Sequence, residues 1–195
     1  MSTISLKSKQ KYGTLLAGNE AYVPSYESIA TVIVGSGGSS EINFTSIPAD
    51  YAHLQIRAIA RTTTGSSAGA DWVLGRVNAD SGSNYSRHYL YGYGSGVTAN
   101  GETSQTSFRA GLAPMDNTTA SMYGAFVIDI LDYANTNKYK TLRVLLGSDR
   151  NGAGEMIFQS NLWMNTSAIT SIKLYPEVNN FKQYSKFALY GLRSA

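Results

Sequence analysis

The sequence predicts an all-β domain, an antiparallel β-sandwich of jelly-roll type with an extended N-terminal arm. Charged residues make up only 15% of the 195 positions and hydrophobic ones 43%, with 19 Gly. That balance suits many short strands joined by tight turns better than charge-laced helices. From Tyr26 onward, β-like runs recur with Gly, Asn, Asp and Ser between them, the pattern of a sandwich or barrel. Over residues 53–61, Leu54, Ile56, Ala58 and Ala60 alternate against His53, Gln55, Arg57 and Arg61, one buried face against one polar face.

The elements follow in order. Residues 1–25 lack both a helical stripe and strict alternation, yet carry Leu6, Tyr12, Leu15, Leu16 and Tyr22. Disordered tails are depleted in such residues, so the segment reads as an arm that becomes ordered on another subunit or protein, or folds back on its own domain. Residues 26–34 are rich in β-branched side chains and stop at GSGGSS, and 41–45 resume; the pair reads as a hairpin. Residues 53–61 are the clearest strand. TTTGSSAGA is a loop, 72–77 a strand, NADSGSN a turn and 85–91 a strand. Residues 92–101 read as a flexible loop, 104–111 as a strand and 113–121 as a connection containing Pro114. Residues 125–133 are the most apolar run and should be central, while the apolar content of 139–147 suggests burial on both faces. SDRNGAGE separates 139–147 from the strand at 156–163, with Asn151 and Gly152 supplying the positive φ of a hairpin loop. Strands at 169–175, closed by Pro176, and at 187–192 complete about ten, which two packed antiparallel sheets bury naturally. The length fits one domain: an anchoring arm at 1–25 and a sandwich at 26–195.

Composition bears on function by exclusion. The net charge is only +3 and no run of like charges traces a phosphate backbone, which argues against nucleic acid. No apolar stretch approaches the ~20 residues that cross a bilayer, and the first 25 residues carry no secretory pattern, so no membrane insertion is expected and folding takes place in a cytoplasm. The absence of Cys removes disulfides, structural zinc and thiol nucleophiles, leaving packing, strand pairing and oligomerisation to supply stability. A homo-oligomer, a trimer, is the expected state.

Candidate chemistry is sparse. The two histidines, His53 and His88, stand beside no G-x-S-x-G elbow. His53 reads as a strand-start cap, and His88 as a possible ligand contact. Asp129 and Asp132 lie three apart, so on a strand they point to opposite faces and make no matched acid and base. Asp129 reads instead as hydrogen-bonded at a sheet edge or subunit contact. Asp149, Asn151 and Glu155 do not match calcium-loop spacing. No catalytic residue, metal or cofactor is assigned. The most informative cluster is NYSRHYLYGYG, where Tyr85, Arg87, Tyr89, Tyr91 and Tyr93 alternate onto one face with His88 between them. Tyrosines with an Arg suit sugar rings or a protein interface; filling of the inter-sheet space or of a subunit seam is the equal alternative. Trp72 and Trp163 read as core anchors.

Several stretches resemble a family of tailed-bacteriophage virion proteins, described as tail-fibre or minor structural proteins and found in phages of aquatic bacteria. They are LLAGNEAYVP at 15–24, YESIATVIVGSGG at 26–38, FTSIPADYAHLQIRAIAR at 44–61, IDILDYANTNKYKTLR at 128–143 and FALYGL at 187–192. The resemblance implies a short N-terminal attachment segment, a jelly-roll-like domain and a homotrimeric or otherwise symmetric assembly on the particle. It implies no catalytic residues. The expected role is non-enzymatic: a virion component, assembled in the host cytoplasm, that docks on other virion proteins through its arm and presents a β domain to a host-surface glycan. The alternative is a capsid decoration, cement or head-fibre protein.

Overall fold

The structure, a computed structural model, describes residues 3–5, 24–63 and 69–193. The arm residues Leu6, Tyr12, Leu15, Leu16 and Tyr22 lie outside the described residues. Among those described there is no helix, and the strands are β1 (Thr3–Ser5), β2 (Tyr26–Ile33), β3 (Ile42–Phe44), β4 (His53–Ala60), β5 (Ala70–Val77), β6 (Tyr85–Tyr93), β7 (Gly96–Gln105), β8 (Phe108–Pro114), β9 (Gly124–Leu131), β10 (Lys140–Asp149), β11 (Gly154–Trp163), β12 (Ile172–Pro176) and β13 (Lys186–Leu192).

These strands form two antiparallel sheets, β1-β2-β13-β4-β9-β10-β11-β6-β7 and β3-β12-β5-β8. Without β1 and the hairpins β6–β7 and β10–β11, two four-stranded sheets remain, β2-β13-β4-β9 and β3-β12-β5-β8. The chain passes from one to the other between β2 and β3, β3 and β4, β4 and β5, β8 and β9, β9 and β12, and β12 and β13. This is the wrapping of an eight-stranded jelly roll. The two inserted hairpins then lengthen one sheet by four strands beyond β9.

Alternation builds the core. In β4, Leu54, Ile56 and Ala60 are fully buried; in β9, Phe126, Ile128 and Ile130; in β10, Leu142 and Val144. Rings cluster in the core, with the centroids of Phe126 and Phe181 lying 6.2 and 4.7 Å from that of Phe187. At Gly111 of β8 the second sheet comes so close that a Cβ would lie 2.3 Å from the Phe126 ring, which leaves room only for glycine.

The sequence reading holds for β4 and for β9, which is fifth of nine strands and therefore central. Four expectations are corrected. Residues 26–34 and 41–45 form no hairpin, because β2 and β3 belong to different sheets and GSGGSS turns the corner between them. Within 92–101, only the stretch around Gly94 is a turn; β7 begins at Gly96 and pairs along β6, since an open edge will take even a Gly- and Thr-rich strand. β10 is buried on one face only, alternating buried Leu142, Val144 and Leu146 with exposed Arg143 and Leu145. Arg61, expected on a polar face, is buried beneath the loop that follows β8, where its guanidinium donates to the carbonyls of Asp116, Thr118, Thr119 and Met122 and to the Asp116 carboxylate.

Candidate ligand cleft between two hairpin tips

Strand pairing sets the two inserted hairpins side by side. Tyr93 at the end of β6 faces Glu155 of β11, and Glu155 faces Ser148 of β10, so both turns emerge at the same end of the sheet. The β6–β7 turn closes through Gly94 at φ +50° and the β10–β11 turn through Asn151 and Gly152 at +59° and +106°, the left-handed conformation that Gly and Asn tolerate. The turn expected at Asn151-Gly152 is therefore present. Between the tips lies a hollow of about 740 Å³ lined by Tyr93, Ser95, Asp149, Gly152, Glu155 and Met156, among other residues.

The hollow has one aromatic wall and anchored carboxylates. Tyr93 is 49% exposed, and its ring lies 5.1 Å from that of Tyr91 at an interplanar angle of 32°. Burial, with the Glu155 charge beside it, pushes the Tyr91 hydroxyl above its ordinary pKa. Glu155 is gripped by both terminal nitrogens of Arg150, one at 2.6 Å. Asp149 accepts the Asn151 N–H at 2.8 Å.

Below the cleft the tyrosine face descends into the molecule. Tyr89 is half-buried, with the Arg109 guanidinium 5.6 Å from its ring centroid and 4.3 Å from that of Trp72. Arg109 pairs with Glu102 at 3.2 Å, and the buried Arg87 binds Glu102 and, at 3.1 Å, Gln105. Burial raises the Glu102 pKa, but the two guanidiniums outweigh it and hold the carboxyl below its usual range. At the foot, Tyr85 is fully buried; its hydroxyl accepts the Val77 N–H at 3.1 Å and donates to the Asp80 carbonyl at 3.2 Å, and burial pushes its pKa up to about 12. Trp163 beside it donates to the Asp80 carboxylate at 2.7 Å.

The six residues singled out on β6 are thus not one surface. Tyr85 and Arg87 are packing and anchoring groups at the buried end, Tyr89 and Tyr91 are half-buried, and Tyr93 alone of the ladder reaches an open cleft. His88 points to the opposite face of the sheet, onto a shallow depression of about 510 Å³ shared with Leu90, Ala99, Phe158 and Ser160. Asp149 and Glu155, set aside in the sequence as failed calcium ligands, line the cleft; β6 and β11 are too distant in sequence for spacing to reveal that meeting. Among the described residues no group of three or more His, Asp or Glu is placed to hold a metal ion. His53 caps as expected, its Nδ1 accepting the Asp132 N–H at 3.0 Å. Asp129 is corrected: it lies on the central strand, where it accepts a hydrogen bond from Gln55 at 2.7 Å.

The outer face of the long sheet carries a second feature. Ala99, Leu90, Phe158, Leu145 and Val127 are direct cross-strand neighbours over five strands, and Leu90, Phe158 and Leu145 are 52%, 54% and 53% exposed.

No protein-family model matches the chain and no curated protein matches it. Among solved structures, a protein of unknown function from Shewanella oneidensis MR-1 aligns over 100% of this chain and 79% of its own at 11% identity, with a TM-score of 0.22. A likeness so slight carries no argument about fold or function.

Proposed function

We propose that this chain is a non-enzymatic structural protein of a tailed-bacteriophage particle, a tail-fibre or adhesin-like component. It docks on other virion proteins through its N-terminal arm and holds the β domain outward to bind a host-surface glycan. The observation that carries this reading is the cleft between the hairpin tips. The exposed Tyr93 ring, the carboxylates of Asp149 and Glu155 and glycine-rich backbone converge there on a rigid sheet, and loops on rigid scaffolds are where binding residues concentrate. The apolar face of a sugar ring lies flat on such a ring, while its hydroxyls donate to the carboxylates of Asp149 and Glu155. In a homotrimer, and in many copies on one particle, weak single-site affinity is multiplied.

The reading is tested by adsorption of the labelled protein to host cells, with surface polysaccharide extracted from the same cells as competitor. Saturable adsorption that the polysaccharide abolishes is the expected result; absence of adsorption by the intact oligomer would refute it.

The exposed apolar row on the outer face favours a second reading, a capsid decoration or head-fibre protein stabilising the head. Contiguous apolar surface on a folded domain marks an interaction site, and a major capsid subunit would cover it. Gold-labelled antibody on intact particles separates the two: label at the tail supports the adhesin, and label over the head supports decoration.

A further inference from the structure

We propose that the outer edge of β2 is a strand-exchange site, occupied by the Thr3–Ser5 strand of a second copy of this chain. The inference is independent of the function proposed above, because it rests on the edge itself.

An edge strand presents a row of unsatisfied N–H and C=O groups that will pair with any available strand. β2 is hydrogen-bonded to β13 on one side, and on the other β1 covers it only in part, with Thr3 opposite Ile33, Ile4 opposite Val32 and Ser5 opposite Thr31. Three residues suffice to show that this edge accepts an antiparallel strand and in which register. The remaining outer edge, from Tyr26 to Ala30, lies beyond that pairing. It is flanked by a hollow of about 760 Å³ lined by Ser28, Ile29, Ile33, Tyr184 and Tyr190, among others.

Chain length lets a second copy supply the strand. To close β1 onto β2 of the same chain, the connection must return from the level of Thr31 to Tyr26, five residue steps along the strand, or roughly 17 Å. The connector is residues 6–25, that is 25 − 6 + 1 = 20 residues, whose contour reaches roughly 66 Å. A hairpin of this register needs only a short turn. A connector several times longer than the closure requires reaches the same edge on a neighbouring copy, and exchange of an identical element is a low-cost route to an oligomer. Each copy gives one strand and receives one, so the ring closes with every Thr3–Ser5 strand paired.

The chain has no cysteine, which gives a clean test. Thr3 and Ile33 are directly opposed, so their Cα atoms are within the 4.4–6.8 Å a disulfide spans. Chains carrying Thr3→Cys alone and Ile33→Cys alone are co-expressed and oxidised, with Thr3→Cys plus Thr141→Cys chains as the control pair and the Thr3→Cys/Ile33→Cys chain in parallel. Exchange predicts a covalent dimer from the first pair, none above background from the control, and interchain-linked species from the double variant. A double variant that yields only an internally linked monomer, with no dimer from the mixed singles, overturns the proposal; so does the absence of any disulfide in all preparations. Removal of residues 1–5 must also lower the mass seen by light scattering while leaving a cooperative melt, and an unchanged mass counts against exchange even if the cysteine variants fold poorly.

Discussion

The jelly-roll body and the four-stranded extension are made of the same kind of strand but bury it differently. In the body, each inward residue of β4 or β9 meets the second sheet, and Leu54, Ile56, Ile128 and Ile130 are all sealed. In the extension only the lower part has anything opposite it. Tyr85, Trp163 and Arg87 are buried there, while at the other end of the same face Tyr93 stands half in solvent. Alternation tells which residues share a face; what lies across from that face decides whether they become core or surface. β6 passes from one condition to the other along its length.

The largest effects should come from positions where the two regions are alike. Phe126→Ala in the body and Tyr85→Ala at the foot of the extension each remove a fully buried ring, and each should cost about 3 to 5 kcal/mol in urea unfolding. Tyr85→Ala also deprives the Val77 N–H of its acceptor. A cost below about 1 kcal/mol at Tyr85 would show that the extension folds apart from the core.

Asp71 of β5 sharpens the contrast through pH. Burial holds its carboxyl up at about 6 against an ordinary 3.8. Between about pH 4 and 6 the folded state therefore binds more protons than the unfolded state, so stability falls as pH rises through that window and stays lower above it. Two units correspond to at most about 3 kcal/mol. Asp71→Asn should melt higher than the native protein at pH 8, with the advantage gone at pH 4. An advantage that is the same at both pH values would remove burial of the charge as its cause.

The outer row should respond in association and hardly in folding. Phe158→Ser on the exposed face should change stability by no more than about 0.5 kcal/mol. On the decoration reading it should lower incorporation into heads, counted by quantitative immunoblot of purified particles.

What was legible in the sequence follows from the same physics. β4 and β9 could be read directly because burial on one face imposes period two on the residues themselves. β7, GVTANGETSQ, could not, since an edge strand with little burial carries no such imprint and is specified by its partner β6. The supposed β2–β3 hairpin failed because a Gly/Ser-rich corner between sheets has the same composition as a hairpin turn. Lys140 was read as one residue of an apolar strand. It is fully buried, and its ammonium group donates to the carbonyls of Lys138 and Thr166 at 2.9 and 3.0 Å; burial lowers its pKa. The tyrosine cluster was legible as a shared face. Its gradient from core to cleft was not, because that gradient is set by β8 and β11, distant in sequence.

The cleft is the central claim, and Tyr93 tests it most directly, being exposed where Tyr85 on the same face is buried. Tyr93→Ala is to be compared with the native protein for host-cell adsorption and melting temperature on the same preparation. The account predicts a loss of adsorption of tenfold or more with a stability change under about 1 kcal/mol. A variant that melts like the native protein and adsorbs as well as it does would contradict the assignment of the hairpin-tip cleft as the ligand site.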